Sequence, residues 1–322
     1  MEPEMNITQK KYPLIFAPFY QAETPLNPLY KKFLFPLSIA FFFGFARSGW
    51  AVGGQILCAW TGSFLVAAAF SKLRNKKIDQ SFWITAFLLA GSIPVHLPFW
   101  MTFTGAAFGQ FFAKEVFGGF GANIFNPALA ARVFLTLNFP ICFVTGWLIP
   151  ENYFSGLTQW TSHSVTGPTP LMKFRAEQIV PDFLNSFTGM TGGSIFETPA
   201  LLFIFIIIYM YFKKVGDFKF SFSFLISLAF FSSLGNFIFP QKILLPHIQL
   251  ATGGILAGAA FFCTDPVTSP KNTKSKYLCG ILLAILVLLI RSFSSFPEGF
   301  MYALLIINMF SPLIDQFFTN KK

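Results

Sequence analysis

The run Tyr277-Leu278-Cys279-Gly280-Ile281-Leu282-Leu283-Ala284-Ile285-Leu286-Val287-Leu288-Leu289-Ile290 carries no charge between Lys276 and Arg291. Extended to Phe293, it predicts a helix over 277–293 with no polar face to offer water. At about 1.5 Å per residue such a helix approaches the roughly 30 Å of a bilayer's hydrocarbon core. A second run, Pro199 to Phe212, is closed by Lys213-Lys214. The whole chain follows the same pattern. Of its 322 residues 54% are hydrophobic, 47 are phenylalanine and only 11% are charged, against about 25% charged in soluble domains. Mean hydropathy is +0.60. The expected class is an all-α integral membrane protein.

Ten spans are expected, at about 33–49, 51–70, 82–95, 99–113, 127–149, 199–212, 219–239, 250–263, 277–293 and 299–318. They make one polytopic domain, 33–318, with an N-terminal segment 1–32, a long polar insert 150–197 and a short tail 319–322. Ten crossings put both termini on one side, and charge tests this. Arg47, Arg132, Lys173, Arg175, Lys242 and Arg291 lie elsewhere, leaving 17 of the 23 Lys/Arg residues on the terminal side. The positive-inside rule therefore places the termini in the cytoplasm and the insert outside. The same clustering accounts for the net charge of +10, so nucleic acid is not an expected partner. Residues 1–32 contain no continuous apolar core, and a cleaved signal peptide is not expected.

Two segments resist a continuous-helix reading. Gly118 to Pro127 holds three glycines, Asn123, Asn126 and Pro127; Gly253-Gly254 leads through to Thr264-Asp265-Pro266. Irregular backbone at membrane depth persists only when buried in protein or lining a cavity. One interruption in each half of the chain suggests a five-plus-five repeat with a site between the halves. Cys58, Cys142, Cys263 and Cys279 are scattered, and His96, His163 and His247 are isolated. No metal site is expected, and an electron-carrying role would call for an organic cofactor.

Ionisable residues within spans mark ion paths or buried pairs. Asp265, beside a break, is a candidate for ion coordination or for fixing the break. Glu115 and Asp315 are weaker ion-path candidates at span ends. Arg132, shortly after Asn126-Pro127, is expected to pair with a carboxylate or hold a phosphate, with Glu298 and Arg291 as further embedded charges. Asn123 and Asn126 suit either helix capping or hydrogen bonding to a ligand. The tryptophans read mostly as interfacial anchors. In the insert, His163-Ser164-Val165-Thr166-Gly167-Pro168-Thr169-Pro170-Leu171 predicts a Gly-Pro turn that presents the Thr169 hydroxyl.

This turn resembles the flavin-attachment motif of two related membrane subunits. They are NqrB of the sodium-translocating NADH:quinone reductase and RnfD of the Rnf ferredoxin:NAD oxidoreductase. Further stretches share the resemblance in family order. They are Lys114 to Gly119 with Asn123 to Leu129, Gly193-Ser194-Ile195-Phe196-Glu197-Thr198, Thr264 to Pro270, Phe296-Pro297-Glu298-Gly299, and Pro312-Leu313-Ile314-Asp315. The attachment pattern, approximately Asp-x-x-Ser/Thr-Gly-Ala-Thr, is met at Thr166, Gly167 and Thr169. It is broken where His163 stands for Asp and Pro168 for Ala, positions that bear on recognition by the attaching enzyme.

The resemblance implies a urea-transporter-like fold in a bacterial inner membrane. It implies FMN joined to Thr169 by a phosphoester, and a second, noncovalent flavin such as riboflavin, with Asn123 and Asn126 near its pocket. It implies coupling of electron transfer to Na+ or H+ movement. Expected partners are the other membrane and flavoprotein subunits of such a complex, a flavin transferase and a quinone. Two further readings stand beside this one: a passive channel or solute transporter, and a scaffold subunit without cofactor.

Overall fold

Proline and glycine decide where the helices of this chain stop. The computed structural model describes residues 27–150, 154–161, 165–296 and 298–319, so His163 and Pro297 lie outside the described residues. The first elements are α1 (Asn27–Ser48), α2 (Ala51–Leu73), α3 (Phe82–Ser92) and α4 (Phe99–Gln110), the last continuing through a π-helical turn, Phe111–Glu115. After the glycine break come α5 (Pro127–Asn138), α6 (Pro140–Thr145), β1 (Trp147–Ile149), β2 (Val165–Gly167), α7 (Pro170–Glu177) and α8 (Phe183–Thr188). The second half holds α9 (Ala200–Phe212), α10 (Lys219–Ile238), α11 (Pro246–Ala251), α12 (Ile255–Ala257) with a π-helical turn Gly258–Phe262, α13 (Thr273–Phe293) and α14 (Phe300–Thr319).

Among the described residues four helices, α2, α10, α13 and α14, are long and apolar enough to cross a membrane; α3 and α9 are shorter apolar helices. The most extensive interhelical contacts run between α2 and α4 and between α10 and α13. Large apolar side chains cover the outside, among them Phe42, Phe205, Ile226, Phe230 and Phe237. A monomer in water does not tolerate so continuous an apolar surface; around membrane helices it is the lipid-facing surface. Trp50, Trp83, Trp100 and Trp160 are exposed, as anchors should be. Trp147 instead is buried, its indole N–H donating to the Phe143 carbonyl at 2.6 Å.

Two expected helices prove discontinuous. The span expected at 127–149 ends at Asn138, because Pro140 removes an amide and its ring crowds the carbonyl four residues back. Phe139 turns out of the helix at φ −128°, ψ 54°. Six helical residues and strand β1 follow. The span expected at 250–263 begins earlier, at Pro246, and breaks at Thr252 to Gly254. Gly253 and Gly254 take φ of +64° and +66°, a region that side chains with a Cβ rarely occupy. The insert is likewise structured. β2 pairs antiparallel with β1, with Leu148 opposite Thr166, and two short helices follow, so the fold is helical apart from one two-stranded ribbon among the described residues. The α1 helix also starts at Asn27, ahead of the expected boundary at 33.

Small residues let α4 meet the start of α5. A Cβ built on Gly109 would lie 2.3 Å from the Pro127 carbonyl oxygen and 2.7 Å from the Ala131 methyl. Close backbone approach of this kind is how membrane helices gain packing energy without a hydrophobic driving force. Gly109→Val therefore forces α4 and α5 apart. The expected cost is about 1–3 kcal/mol, read as a lower thermal midpoint of the detergent-solubilised protein, with Leu137→Ala on the exposed face of α5 as a near-neutral control.

Candidate functional site

Polar side chains gather at two opposite ends of the bundle. The first gathering surrounds Thr169. The β1–β2 ribbon fixes the Gly167-Pro168 turn, and Pro170 occupies the first position of α7, where its missing amide costs nothing. Thr169 is the N-cap: its hydroxyl oxygen accepts from the Met172 amide at 3.4 Å. The expectation of a presented hydroxyl meets a different geometry, for Thr169 is 2% exposed, whereas Thr166 and Pro168 are exposed. Capping turns the side chain inward, over the first turn of its own helix. It faces a small cavity of about 10 Å3 shared with Ser186, Thr191, Glu197, Thr198 and Gly253. The hydroxyls of Ser186 and Thr191 are buried and have no hydrogen-bond partner among the described residues.

Beneath this cavity lies a buried charge cluster. Arg132, from α5, donates to Glu197 at 3.3 Å and more closely to Glu298, which precedes α14. Glu197 also accepts from the Ser194 hydroxyl at 2.8 Å. Arg47, at the end of α1, donates to the Thr198 hydroxyl, to the Thr191 carbonyl at 2.5 Å and to the Leu148 carbonyl at 3.3 Å. Arg291, at the end of α13, donates to the carbonyls of Gln249, Thr252 and Gly253 at 3.1, 3.0 and 2.9 Å. Those carbonyls have lost their helical partners at the glycine break, so the guanidinium replaces the missing amides.

The second gathering surrounds Asp265. Its carboxylate accepts from the Asn126 side-chain amide at 2.9 Å, from the Thr268 hydroxyl at 2.9 Å and from the Val267 amide at 3.0 Å. Asn126 meanwhile caps α5 by accepting from the amides of Ala128 and Leu129. The two chain breaks are thus joined by one hydrogen bond. Glu115 pairs with Arg74 at 2.7 Å and accepts from Gln110 at 2.9 Å. Asp315 accepts from the amides of Lys271 and Asn272 at 2.8 and 3.0 Å. In the same loop, burial pushes the Lys271 ammonium below the usual lysine range, opposed by Asp265 and Asp315. A mostly apolar cavity of about 80 Å3 opens here between Phe33, Lys114, Phe120, Asn126, Phe261 and Asp265, and Asn123 also lines it.

The structure thus brings Asn123, Asn126 and Asp265 together, and places Thr169 and Arg132 at the other end. The cavities around Thr169 and Asp265 share no residue. Arg132 pairs with carboxylates, one of the two roles expected of it. Sequence reasoning missed its partner Glu197, the carbonyl-binding role of Arg47 and Arg291, and buried Lys114, which pairs with Asp79 at 2.9 Å. Arginines inside apolar runs were the available signal; their partners are set by tertiary contacts. Among the described residues no group of His, Cys, Asp and Glu is arranged to hold a metal ion.

A bundle of apolar helices with interrupted segments and a buried polar cluster at each end defines a multi-pass membrane protein. The chain belongs to the NQR2, RnfD, RnfE family, whose pattern it matches over residues 14–322. It is 31% identical over 306 residues to RnfD, the D-type component of the ion-translocating oxidoreductase complex, of Erwinia tasmaniensis, covering 84% of this chain and 86% of the relative. It is 32% identical over 303 residues to the proteins of that name in Escherichia coli O7:K1 and Shigella boydii serotype 18, with the same coverage.

Removing Arg132 leaves Glu197 and Glu298 without the one cation that hydrogen-bonds them both, with Arg47 and Arg291 acting only from a distance. Arg132→Gln should cost about 3–5 kcal/mol, seen as a loss of folded, detergent-stable protein. Adding Glu298→Gln to that variant should restore much of the thermal midpoint, because one of the two stranded charges is gone.

Proposed function

We propose that this chain is a redox-active membrane subunit of an ion-translocating oxidoreductase complex, carrying FMN esterified through its phosphate to Thr169. Membership of the family and the names of its relatives support the complex. The observation that carries the site is the Thr169 cavity, where a buried hydroxyl meets the unpartnered hydroxyls of Ser186 and Thr191. Those groups, at the N-terminus of α7, fit a phosphoryl group, which takes hydrogen bonds from hydroxyls and helix-terminal amides. A cavity of about 10 Å3 is the size of a single water and holds neither a flavin ring nor a phosphoryl group as it stands, so the ring belongs outside it and the phosphate requires the Thr169 turn to open. Ser186, Thr191 and the first turn of α7 would hold the phosphate, and Thr166 and Gly167 would shape the turn. Bound FMN supplies one- and two-electron redox chemistry at its ring.

The cavity at the other end, with Asn123 and Asn126 at its wall, is the proposed place of a second, noncovalent flavin of the riboflavin type. Asp265, with Glu115 and Asp315 nearby, is the proposed region of Na+ or H+ passage. The bundle is read as ten crossings in two five-helix halves. In support, the α2–α4 and α10–α13 pairings occupy matching places in α1–α5 and in α9–α14. The charge distribution and the family support localisation to a bacterial inner membrane with cytoplasmic termini. A flavin transferase, flavoprotein subunits and a quinone are the proposed partners.

One observation favours a second reading, a scaffold subunit without cofactor: the Thr169 hydroxyl is nearly sealed from solvent. A passive channel is the third reading, and it leaves the Thr169 cavity without a purpose. Mass spectrometry of the peptide bearing Thr169, from protein isolated in its native complex, separates them. The expected result is the mass of one added FMN, in-gel flavin fluorescence under denaturing conditions, loss of both in Thr169→Ala, and retention in Thr169→Ser. An unmodified peptide in a complex that still turns over would sink the flavin assignment.

A further inference from the structure

A cavity of about 210 Å3 at the Thr169 end is distinct from the one that Thr169 faces. It lies between α7, the loop from α10 to α11, α11 itself and the C-terminal end of α13. Three cations line it, Arg175, Lys242 and Arg291, with Gln178, Gln241 and Gln249 between them, and no carboxylate is among its lining residues. None of the three forms an ion pair among the described residues. Arg291 spends its donors on three carbonyls, and Glu298 and Glu197 act on its charge only from beyond ion-pair distance. One terminal nitrogen of Arg175 is buried without an acceptor. The Lys242 ammonium sits 5.1 Å from the centre of the Phe293 ring.

Like charges around a partly dry cavity repel one another, and an anion between them reverses the sign of the interaction. The surroundings indicate which anion. Phe237, Ile238, Phe239, Leu245 and Phe293 are exposed on the adjoining ends of α10, α11 and α13, and Phe239 packs edge-on against Phe293 with ring centres 6.0 Å apart. A ligand with a phosphate for the cations and a chain for the aromatic rim satisfies both. Basic pockets between membrane helices take phospholipid headgroups on this principle.

We propose that this cavity binds a phosphate-bearing anion, and that its occupant is the headgroup of an anionic phospholipid. The site stands apart from the flavin reading, because Thr169 does not line it.

The test uses the whole chain in its complex, extracted in detergent, stripped of lipid, and titrated separately with phosphatidylglycerol, phosphatidylcholine and inorganic phosphate. Binding is read by native mass spectrometry. Phosphatidylglycerol should bind and phosphatidylcholine should not, a comparison that needs no variant. Arg175→Gln with Lys242→Gln should weaken phosphatidylglycerol binding roughly 30-fold, as expected for two interfacial cations. The charge-keeping pair Arg175→Lys with Lys242→Arg should restore it. Inorganic phosphate binding as tightly as the lipid would overturn the headgroup assignment. Equal binding of the two lipids, or an unchanged affinity in the Gln pair, would overturn the site.

Discussion

Backbone groups freed by a broken helix have no water to turn to inside a bilayer, and each left unpaired costs several kcal/mol. The interruptions in this fold carry their own answers to that constraint. Arg291 takes three carbonyls at the Gly253-Gly254 break. Arg47 takes two carbonyls and a hydroxyl from the ribbon and the segment before α9. Gln55 donates to the carbonyls of Val95 and Leu97, at 2.9 and 2.5 Å, where Pro94 and Pro98 interrupt the chain after α3. Asn126 caps α5 and binds Asp265 in the same gesture. Several of the buried polar side chains are thus the condition for having breaks at all.

Using arginine for this work has an electrostatic consequence. A guanidinium that spends its donors on carbonyls satisfies the backbone but keeps its charge. Among the described residues the buried charges near Thr169 are Arg47, Arg132 and Arg291 against Glu197 and Glu298, so that end carries an excess of positive charge when all are ionised. In a low dielectric such an excess attracts anions, and the phosphate proposed at Thr169 and the proposed lipid headgroup are two anions of the required kind. The opposite end is balanced differently. Glu115 and Lys114 each meet a single counter-charge, while Asp265 and Asp315 take their hydrogen bonds from neutral donors and share the charge of Lys271.

Period and composition made the membrane class legible, because an apolar run with no charge from Tyr277 to Ile290 has few other uses. The Gly/Pro breaks were legible too, since Gly118 to Pro127 and Gly253-Gly254 announce themselves by residue type. The split at Phe139 was not, because a lone Pro140 inside an apolar run reads equally as a kink. The ribbon escaped notice because each of its strands is three residues long and its register depends on closure of the intervening loop. Thr169 was found by its motif, but its burial was not, since whether a capping hydroxyl faces solvent or cavity depends on what α8 and the segment before α9 place over it. Arg132 announced a partner, but Glu197 and Glu298 lie 65 and 166 residues away, and no local pattern joins them.

Helices α5, α13 and α14 each touch both polar ends, and α5 does so over the shortest distance. Helix α5 begins at Asn126, bonded to Asp265, and carries Arg132, bonded to Glu197 and Glu298, about 9 Å further along its axis. Its twelve residues are pinned by packing as well, with Ala128, Leu129, Ala131 and Leu135 all buried. Under the proposed redox role, a change of charge near Thr169 acts first on the Arg132 cluster. The hydrogen bond it reaches through α5 is the Asn126–Asp265 link that joins the two chain breaks. Coupling of this kind requires an element whose position both sites bias, and under the proposed role α5 is a helix in contact with both.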